Sequence, residues 1–407
     1  MKKKSSGKAV FIALGLALVC CFALLVGGCA RFNGAKTAAD QPAFSGNVFL
    51  DGILTDNNYY HPHNSTSPDG KKMLVTITKA DKPYGKTTGV IDLYLLDAEQ
   101  MSQGRAVKLL GPVPIGSQER TPGNKVFRST WSADGSRIMV SGGDRFWVIN
   151  AADLTPLNGF DGNPNLLAGS AGKWHHNHDA LPTTDGKYAL LTLRTKPHTG
   201  EDAAKWDGEL KLYDLSANAV VGAGVSVCNG CHIKQLGTNV HATLCGIEGK
   251  LERQANGTYT GTVYVAGHGG HFAKAAVTID PANTANPITM NMDRLVVSDK
   301  KFSGIDESSD GTSVYKLHDG RLDGKGGLYW STFNTDEANK VHYGKLDLAT
   351  GAVVKDVAID VDPRATMPKP KAGGNRGSLY CGSGLSKTAY MPMTMTSEGY
   401  ITVIPRF

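Results

Sequence analysis

The chain has 407 residues and a formal charge of +6, from 43 Lys and Arg against 37 Asp and Glu. Lys2, Lys3, Lys4 and Lys8 lie ahead of an uncharged stretch from Ala9 to Gly28, and without that segment the balance falls to +2. No Lys/Arg cluster remains beyond it, which argues against phosphate tracking along nucleic acid and against a polybasic membrane surface.

Four lysines followed by twenty uncharged, mostly apolar residues read as an export signal. A run of that length can also stay in the bilayer as an uncleaved anchor. Its ending, Val26-Gly27-Gly28-Cys29, resembles a bacterial lipobox. That resemblance implies cleavage before Cys29, diacylglycerol on its thiol, and a domain held to a membrane outside the cytoplasm, at the outer membrane or the periplasmic face. Residues 1–28 are then the signal, 29–45 the lipidated cysteine and a small, polar tether, and 46–407 the folded domain.

Beyond the tether, short apolar runs alternate with Asp-Gly, Asn-Gly and Gly-Gly, and no long stretch keeps a helical period. Ser67-Pro68-Asp69-Gly70 precedes Met73-Leu74-Val75-Thr76-Ile77, and Ser132-Ala133-Asp134-Gly135 precedes Ile138-Met139-Val140. Thr183-Thr184-Asp185-Gly186 in turn precedes Tyr188-Ala189-Leu190-Leu191. A second strand follows each, as in Ile91 to Asp97, Phe146 to Asn150 and Leu210 to Leu215. A turn, a strand, a second strand and an Asp-ending turn make the unit of a β-propeller blade. The expected fold is therefore all-β, a propeller of about seven or eight four-stranded blades at roughly 45 to 50 residues each. A pair of stacked β-sheets is the rival. Trp131, Trp147 and Trp330 fall in strand patterns and are assigned to the core.

The chain has 12 histidines, and their placement within the repeat is informative. His63, His178 and His318 each stand about six residues ahead of an Asp-Gly turn, and Arg128 fills that slot in another unit. In a propeller the slot belongs to the innermost strand, where residues far apart in sequence converge on one axis. His61, His175, His176, Asp179, His268, His271 and Asp319 lie close to it. Imidazole suits zinc and copper, and carboxylates complete or orient such sites. The expected metal residues are His63, His178 and His318, with His232, His271, Asp179 and Asp319 as additions. Histidines in such loops can instead hydrogen-bond only to backbone. His198 and His342 are read as solvent-facing.

Cys20 and Cys21 lie in the signal, leaving Cys228, Cys231, Cys245 and Cys381 in the domain; two disulfides are the default outside the cytoplasm. Yet Cys228-Asn229-Gly230-Cys231-His232 is also a Cys-x-x-Cys-His motif, the attachment sequence for covalent haem c with His232 on the iron. Both readings stand on the residues alone. No Gly-x-Ser-x-Gly elbow, phosphate loop or His-Glu-x-x-His helix anchors a hydrolase, nucleotide or metalloprotease reading.

The stretch from His175 to Gly249 resembles the periplasmic zinc metallochaperones of the Azt type, exported β-propellers that hand zinc to a transporter's binding protein. The residues that carry it are His175-His176, Ala180 to Gly186, the strand from Leu210 to Asp214, Cys228 with His232, and Cys245 to Gly249. The resemblance implies a Cys228–Cys245 disulfide, with Cys231 left for Cys381, and no haem. That family's acidic histidine-rich loop has no counterpart here, and Cys231 is an addition to its pattern. The functions anticipated are metal storage or delivery to an accepting protein, electron transfer through haem, and interaction without metal.

Overall fold

The structure is a computed structural model. It describes residues 46–50, 52–53, 59–80, 87–116, 128–142, 145–162, 173–197, 207–228, 244–267, 271–296, 301–302, 313–314, 317–335, 340–360, 393–397 and 400–404. The signal, the tether, Cys29, Cys231, His232 and Cys381 lie outside these residues. Residues Gln41–Phe407 form one compact unit. Among the described residues no helix is long and apolar enough to cross a membrane.

Consecutive strands fold back on one another. The first sheet holds β1 (Gly46–Phe49) beside strands from the other end of the chain; the next holds β2 (Tyr59–Thr66), β3 (Lys72–Ala80), β4 (Thr87–Asp97) and β5 (Lys108–Ile115) in that order. A short helix, α1 (Ala98–Ser102), separates β4 from β5, with the Asp97 carboxylate accepting from Gln100 N at its start. The second blade is β6 (Arg128–Trp131), β7 (Arg137–Gly142) and β8 (Arg145–Asn150). The third is β9 (Lys173–Pro182), β10 (Tyr188–Pro197), β11 (Asp207–Asp214) and β12 (Ala219–Cys228). The fourth is β13 (Leu244–Arg253), β14 (Tyr259–Gly267), β15 (His271–Ile279) and β16 (Ile288–Val296). A two-strand pair, β17 (Lys301–Phe302) and β18 (Ser313–Val314), precedes the fifth. That blade is β19 (Leu317–Leu322), β20 (Gly327–Thr335), β21 (Lys340–Asp347) and β22 (Val353–Asp360). Finally β23 (Met393–Ser397) and β24 (Tyr400–Ile404) pair, and β24 also pairs β1, so the closing sheet joins both ends of the domain.

The sheets stand side by side through their first strands: β23 beside β2, then β6, β9, β13 and β19. That is a β-propeller, and the stacked two-sheet alternative is set aside. The described residues show five blades of consecutive strands, where seven or eight were anticipated. The error lies in the repeat length. Inner strands begin at residues 59, 128, 173, 244 and 317, so three of the four intervals run near about 70 residues, well above the roughly 45 to 50 of a compact blade.

Apolar side chains fill the space between blades and define which strands are two-faced. Leu74 and Leu93 join Trp131, Ile138 and Trp147 between blades one and two, while Val75 and Tyr94 turn the other way toward Ile401 and Val403 of the closing sheet. Further cores pair Phe146 with Tyr213, Leu210 with Ile247, and Phe272 with Trp330 across the later blades. A strand packed on both faces carries contiguous apolar residues, which is why Met73-Leu74-Val75 does not alternate with polar ones. Trp131, Trp147 and Trp330 are core residues, as expected.

The repeated turn links the first two strands of a blade through one hydrogen-bond pattern. Ser67 Oγ donates to Asp69 Oδ1 at 2.6 Å and accepts from Lys72 N at 2.9 Å. Ser132 and Asp134, and Thr183 and Asp185, repeat it. The glycine that follows each aspartate takes a φ of 73°, 70° and 67°, the left-handed region that only glycine enters without strain. The Ser132 hydroxyl, with backbone N–H support, holds the Asp134 carboxyl below its ordinary range, and the Ser67 hydroxyl does the same for Asp69. A carboxyl depressed in the folded state adds stability above its unfolded pKa, near about 4, and loses it as pH falls through the folded value. Ser132→Ala is therefore expected to cost about 1 kcal/mol at neutral pH. It should also flatten the decline in stability on acidification; urea unfolding at pH 7 and pH 3 checks both, and an unchanged midpoint at pH 7 refutes the role.

Candidate functional site

Three inner strands place a polar residue opposite a hydroxyl-bearing residue on the next strand: His63 opposite Thr76, Arg128 opposite Ser141, Asp179 opposite Thr192. All six are buried. Just ahead of that position the inner strands of four blades gain one residue relative to their partners. The extra residue falls within His61-Pro62 on β2, at His178 on β9, within Cys245-Gly246 on β13, and at His318 on β19. β6, which begins at Arg128, pairs without a shift. A bulge interrupts the side-chain alternation and re-aims the residue it carries. Three of the four bulges bear histidine and the fourth bears cysteine, residue types that ligate zinc and copper.

The same end of the propeller collects most of the other residues singled out from the sequence. His176, Arg194, Gly208 and Cys228 form one row across the third blade. Leu244, Gly267, His271 and Val296 form the corresponding row across the fourth. Cys228 ends β12 and Leu244 begins β13, so the segment carrying Cys231 and His232 has both its described ends at this edge. Gly267 and His271 pair there, and His268, between them in sequence, lies outside the described residues. The opposite end carries the Asp-Gly turns.

Asp179 lies at the junction of three blades. Its Oδ1 accepts from Thr130 Oγ1 on β6 at 3.0 Å and from Ala180 N at 2.8 Å; its Oδ2 accepts from Ile247 N on β13 at 2.9 Å. The Asp179 backbone N–H donates to Thr192 Oγ1 at 3.0 Å. Both carboxylate oxygens are thus engaged by protein donors, which fixes the strand immediately after the His178 bulge. Ser65 and Ser129 share a hydroxyl hydrogen bond of 2.6 Å, and Trp131 Nε1 donates to the Ser65 carbonyl at 3.2 Å, joining blades one and two. Glu248 of β13 and Arg321 of β19 approach to 3.7 Å between blades four and five, both buried.

His63 and His178 are buried on innermost strands. His318 and Asp319 lie on β19, and His271 opens β15. Among the described residues no three His, Cys, Asp or Glu side chains gather as a metal-holding group. His342, read as solvent-facing, is instead 7% exposed, and its Nδ1 meets Asp356 Oδ1 at 2.8 Å across β21 and β22. Its place in an outer strand of an apolar blade buries it, and nothing in the sequence marks the distant carboxylate that accompanies it. Sequence reasoning also missed Asn177, whose buried side-chain amide has no hydrogen-bond partner among the described residues, and the Glu248–Arg321 pair. The charged pair stands outside the histidine slot that drew attention.

The fold and this face define a β-propeller whose blade-start end concentrates histidine and cysteine. No protein-family model matches the chain, and no curated protein matches it. Among solved structures, the β-propeller domain of Cps50 (Swd1) from Myceliophteria thermophila is similar at 11% identity, over 87% of this chain and 99% of that one, with a TM-score of 0.40. The RRP9 WD40 repeats are similar at 10% identity over 90% and 99%, TM-score 0.43. A putative TolB from Agrobacterium tumefaciens is similar at 13% identity over 85% and 90%, TM-score 0.34.

Asp179→Ala would leave the Thr130 hydroxyl and the Ile247 and Ala180 N–H groups without their acceptor inside the protein, at roughly 1 kcal/mol or more for each. A loss of about 3 kcal/mol is expected from the urea midpoint, with Asp179→Asn less damaging because it keeps one acceptor oxygen. A loss under about 1 kcal/mol for the alanine variant would remove Asp179 from its stitching role.

Proposed function

We propose that this propeller is lipid-anchored at Cys29 outside the cytoplasm and binds a transition metal, zinc or copper, at its blade-start face for storage or for delivery to an accepting protein. The observation that carries the reading is the recurrence of bulges bearing His61, His178, Cys245 and His318 at one level of the inner strands. His178 and His318 are the bulge ligands in this reading, His63 joins them from the place just after the β2 bulge that Asp179 takes in the third blade, and His232 and His271 supplement them. Asp179 serves as a positioning residue, its carboxylate holding β9 between β6 and β13. Asp319 follows the His318 bulge as Asp179 follows that of His178, and takes the equivalent place in the fifth blade. The similarity of His175 to Gly249 to Azt-type zinc chaperones supports a metal as cargo, and the near-neutral charge beyond the signal gives no support to a nucleic-acid partner.

A second reading is favoured by one specific feature, the Cys228-Asn229-Gly230-Cys231-His232 motif at the end of β12. Covalent haem there would make the protein an electron-transfer module or oxidoreductase. One preparation separates the two: full-length protein expressed with its signal in a host competent for haem attachment, examined by absorption spectroscopy and metal analysis. Stoichiometric zinc or copper without a Soret band is expected, and His178→Ala with His318→Ala should weaken uptake at least about tenfold. A Soret band that survives acid extraction establishes the haem reading. Absence of both metals from protein reloaded after chelation overturns the metal reading.

A further inference from the structure

The register of β1 shows at which end of the propeller the chain enters the domain. Gly46 pairs with Val403, and the next residue of β24, Ile404, pairs with Met393, the first residue of β23. β23 is the inner strand of the closing sheet and lies beside β2; in each blade the inner strand begins at the blade-start end and leads outward, and β23 followed by β24 keeps that order. Gly46 therefore enters at the blade-start end. The other end of β1 agrees. Leu50 and Ile53, just beyond it, share a core with Met73, Leu96, Ala98 and Met101, and Ala98 N donates to the Lys71 carbonyl beside the Asp69-Gly70 turn. β1 thus runs from the histidine-bearing end at Gly46 toward the Asp-Gly turns at Leu50.

Ala30 to Ser45, 16 residues, join Cys29 to Gly46. A small, polar chain of that length has a root-mean-square span of about 22 Å and a fully extended limit of about 55 Å. A blade strand of 10 residues such as β9 is about 33 Å long. A tether of ordinary span therefore brings the end it leaves toward the membrane, and reaching past the blade to its Asp-Gly turns would require stretching it. That end also carries the bulges at His178, Cys245 and His318 and the strand ends at Cys228 and His271. We propose that the anchor turns the blade-start face toward the membrane that holds it, and that the protein accepting metal from this face is embedded in the same membrane. The inference rests on the anchor and metal readings above and adds to them a direction and a class of partner. A large soluble acceptor would have to enter the narrow gap that the tether leaves.

The orientation is read on full-length lipidated protein in vesicles carrying an acceptor dye at the membrane surface, with a donor dye placed through an azido amino acid at Ser226, Ala358 or Ala255, all three exposed. Ser226 and Ala358 lie near the blade-start ends of β12 and β22, and Ala255 lies in the turn after β13. Energy transfer should be stronger from Ser226 and Ala358, which should stand about 20 Å or more nearer the membrane than Ala255. The exchange is read by loading the protein with zinc or copper and stripping it with a chelator, either free or coupled to a large dextran. The coupled chelator should strip wild-type protein at least about tenfold more slowly than a variant with about thirty Gly/Ser residues inserted between Ala38 and Ala39, while the free chelator strips both alike. Equal transfer from the three positions, or stronger transfer from Ala255, in protein that floats with the vesicles overturns the orientation and leaves the anchor standing. Protein that does not float overturns the anchor and the orientation together. Equal stripping of both proteins by the coupled chelator overturns the membrane-embedded acceptor. Protein that takes up neither metal overturns the exchange, and the energy transfer still decides the orientation.

Discussion

Among the described residues the inner strands of neighbouring blades belong to separate sheets, and buried side chains tie those strands together near the propeller's centre. Asp179 is the clearest case, a carboxylate that accepts from Thr130 in one blade and Ile247 in another while remaining on its own strand. Ser65 with Ser129, Trp131 with the Ser65 carbonyl, and Glu248 with Arg321 extend the same solution to blades one and two and to blades four and five. Unpaired strand edges and unmet buried polar groups are costly, so these contacts constrain where the inner strands can lie. The positions of the buried histidines follow from that constraint.

Outside this polar centre, the blades cohere through apolar contact on both faces of their middle strands. Neighbouring residues such as Leu74 and Val75 belong to different cores, so each blade depends on its two neighbours. The closing sheet applies the same rule to the chain ends: Val48 packs with Ile401 and Val403, and Thr402 donates to Asn47 at 2.8 Å. A domain built this way separates its two ends chemically. One end is spent on turns whose aspartates and hydroxyls bond to each other, which leaves little free for a ligand. The other carries bulges, where a strand gives up regular pairing at a cost in ladder hydrogen bonds. The irregularity recurs at one level in four blades, each time within a segment that carries histidine or cysteine.

Much of this architecture is legible along the chain. The Ser/Thr-x-Asp-Gly turns, the apolar runs after them and the polar slot before them depend on interactions within about ten residues, so local pattern suffices to locate them. Counting blades requires knowing how long each connection is, and long connections carry no periodic signal, hence the overestimate. A bulge is likewise invisible in a single strand, because it exists only as a mismatch between two. His178 and His318 could be singled out by spacing, but Cys245 could not be joined to them until β13 was set in register with β14.

The sequence by itself determined the all-β composition of the domain, the turn chemistry, the tryptophans of the core and the histidine-bearing slot, because each is encoded in short-range periodicity and in the hydrogen-bonding habits of Ser, Thr, Asp and Gly. Only the tertiary structure decided the blade count, the burial of His342 against Asp356, the stitching role of Asp179 and the gathering of the bulges at one end. Those features arise between segments tens of residues apart, where register and packing, rather than local propensity, set which groups meet.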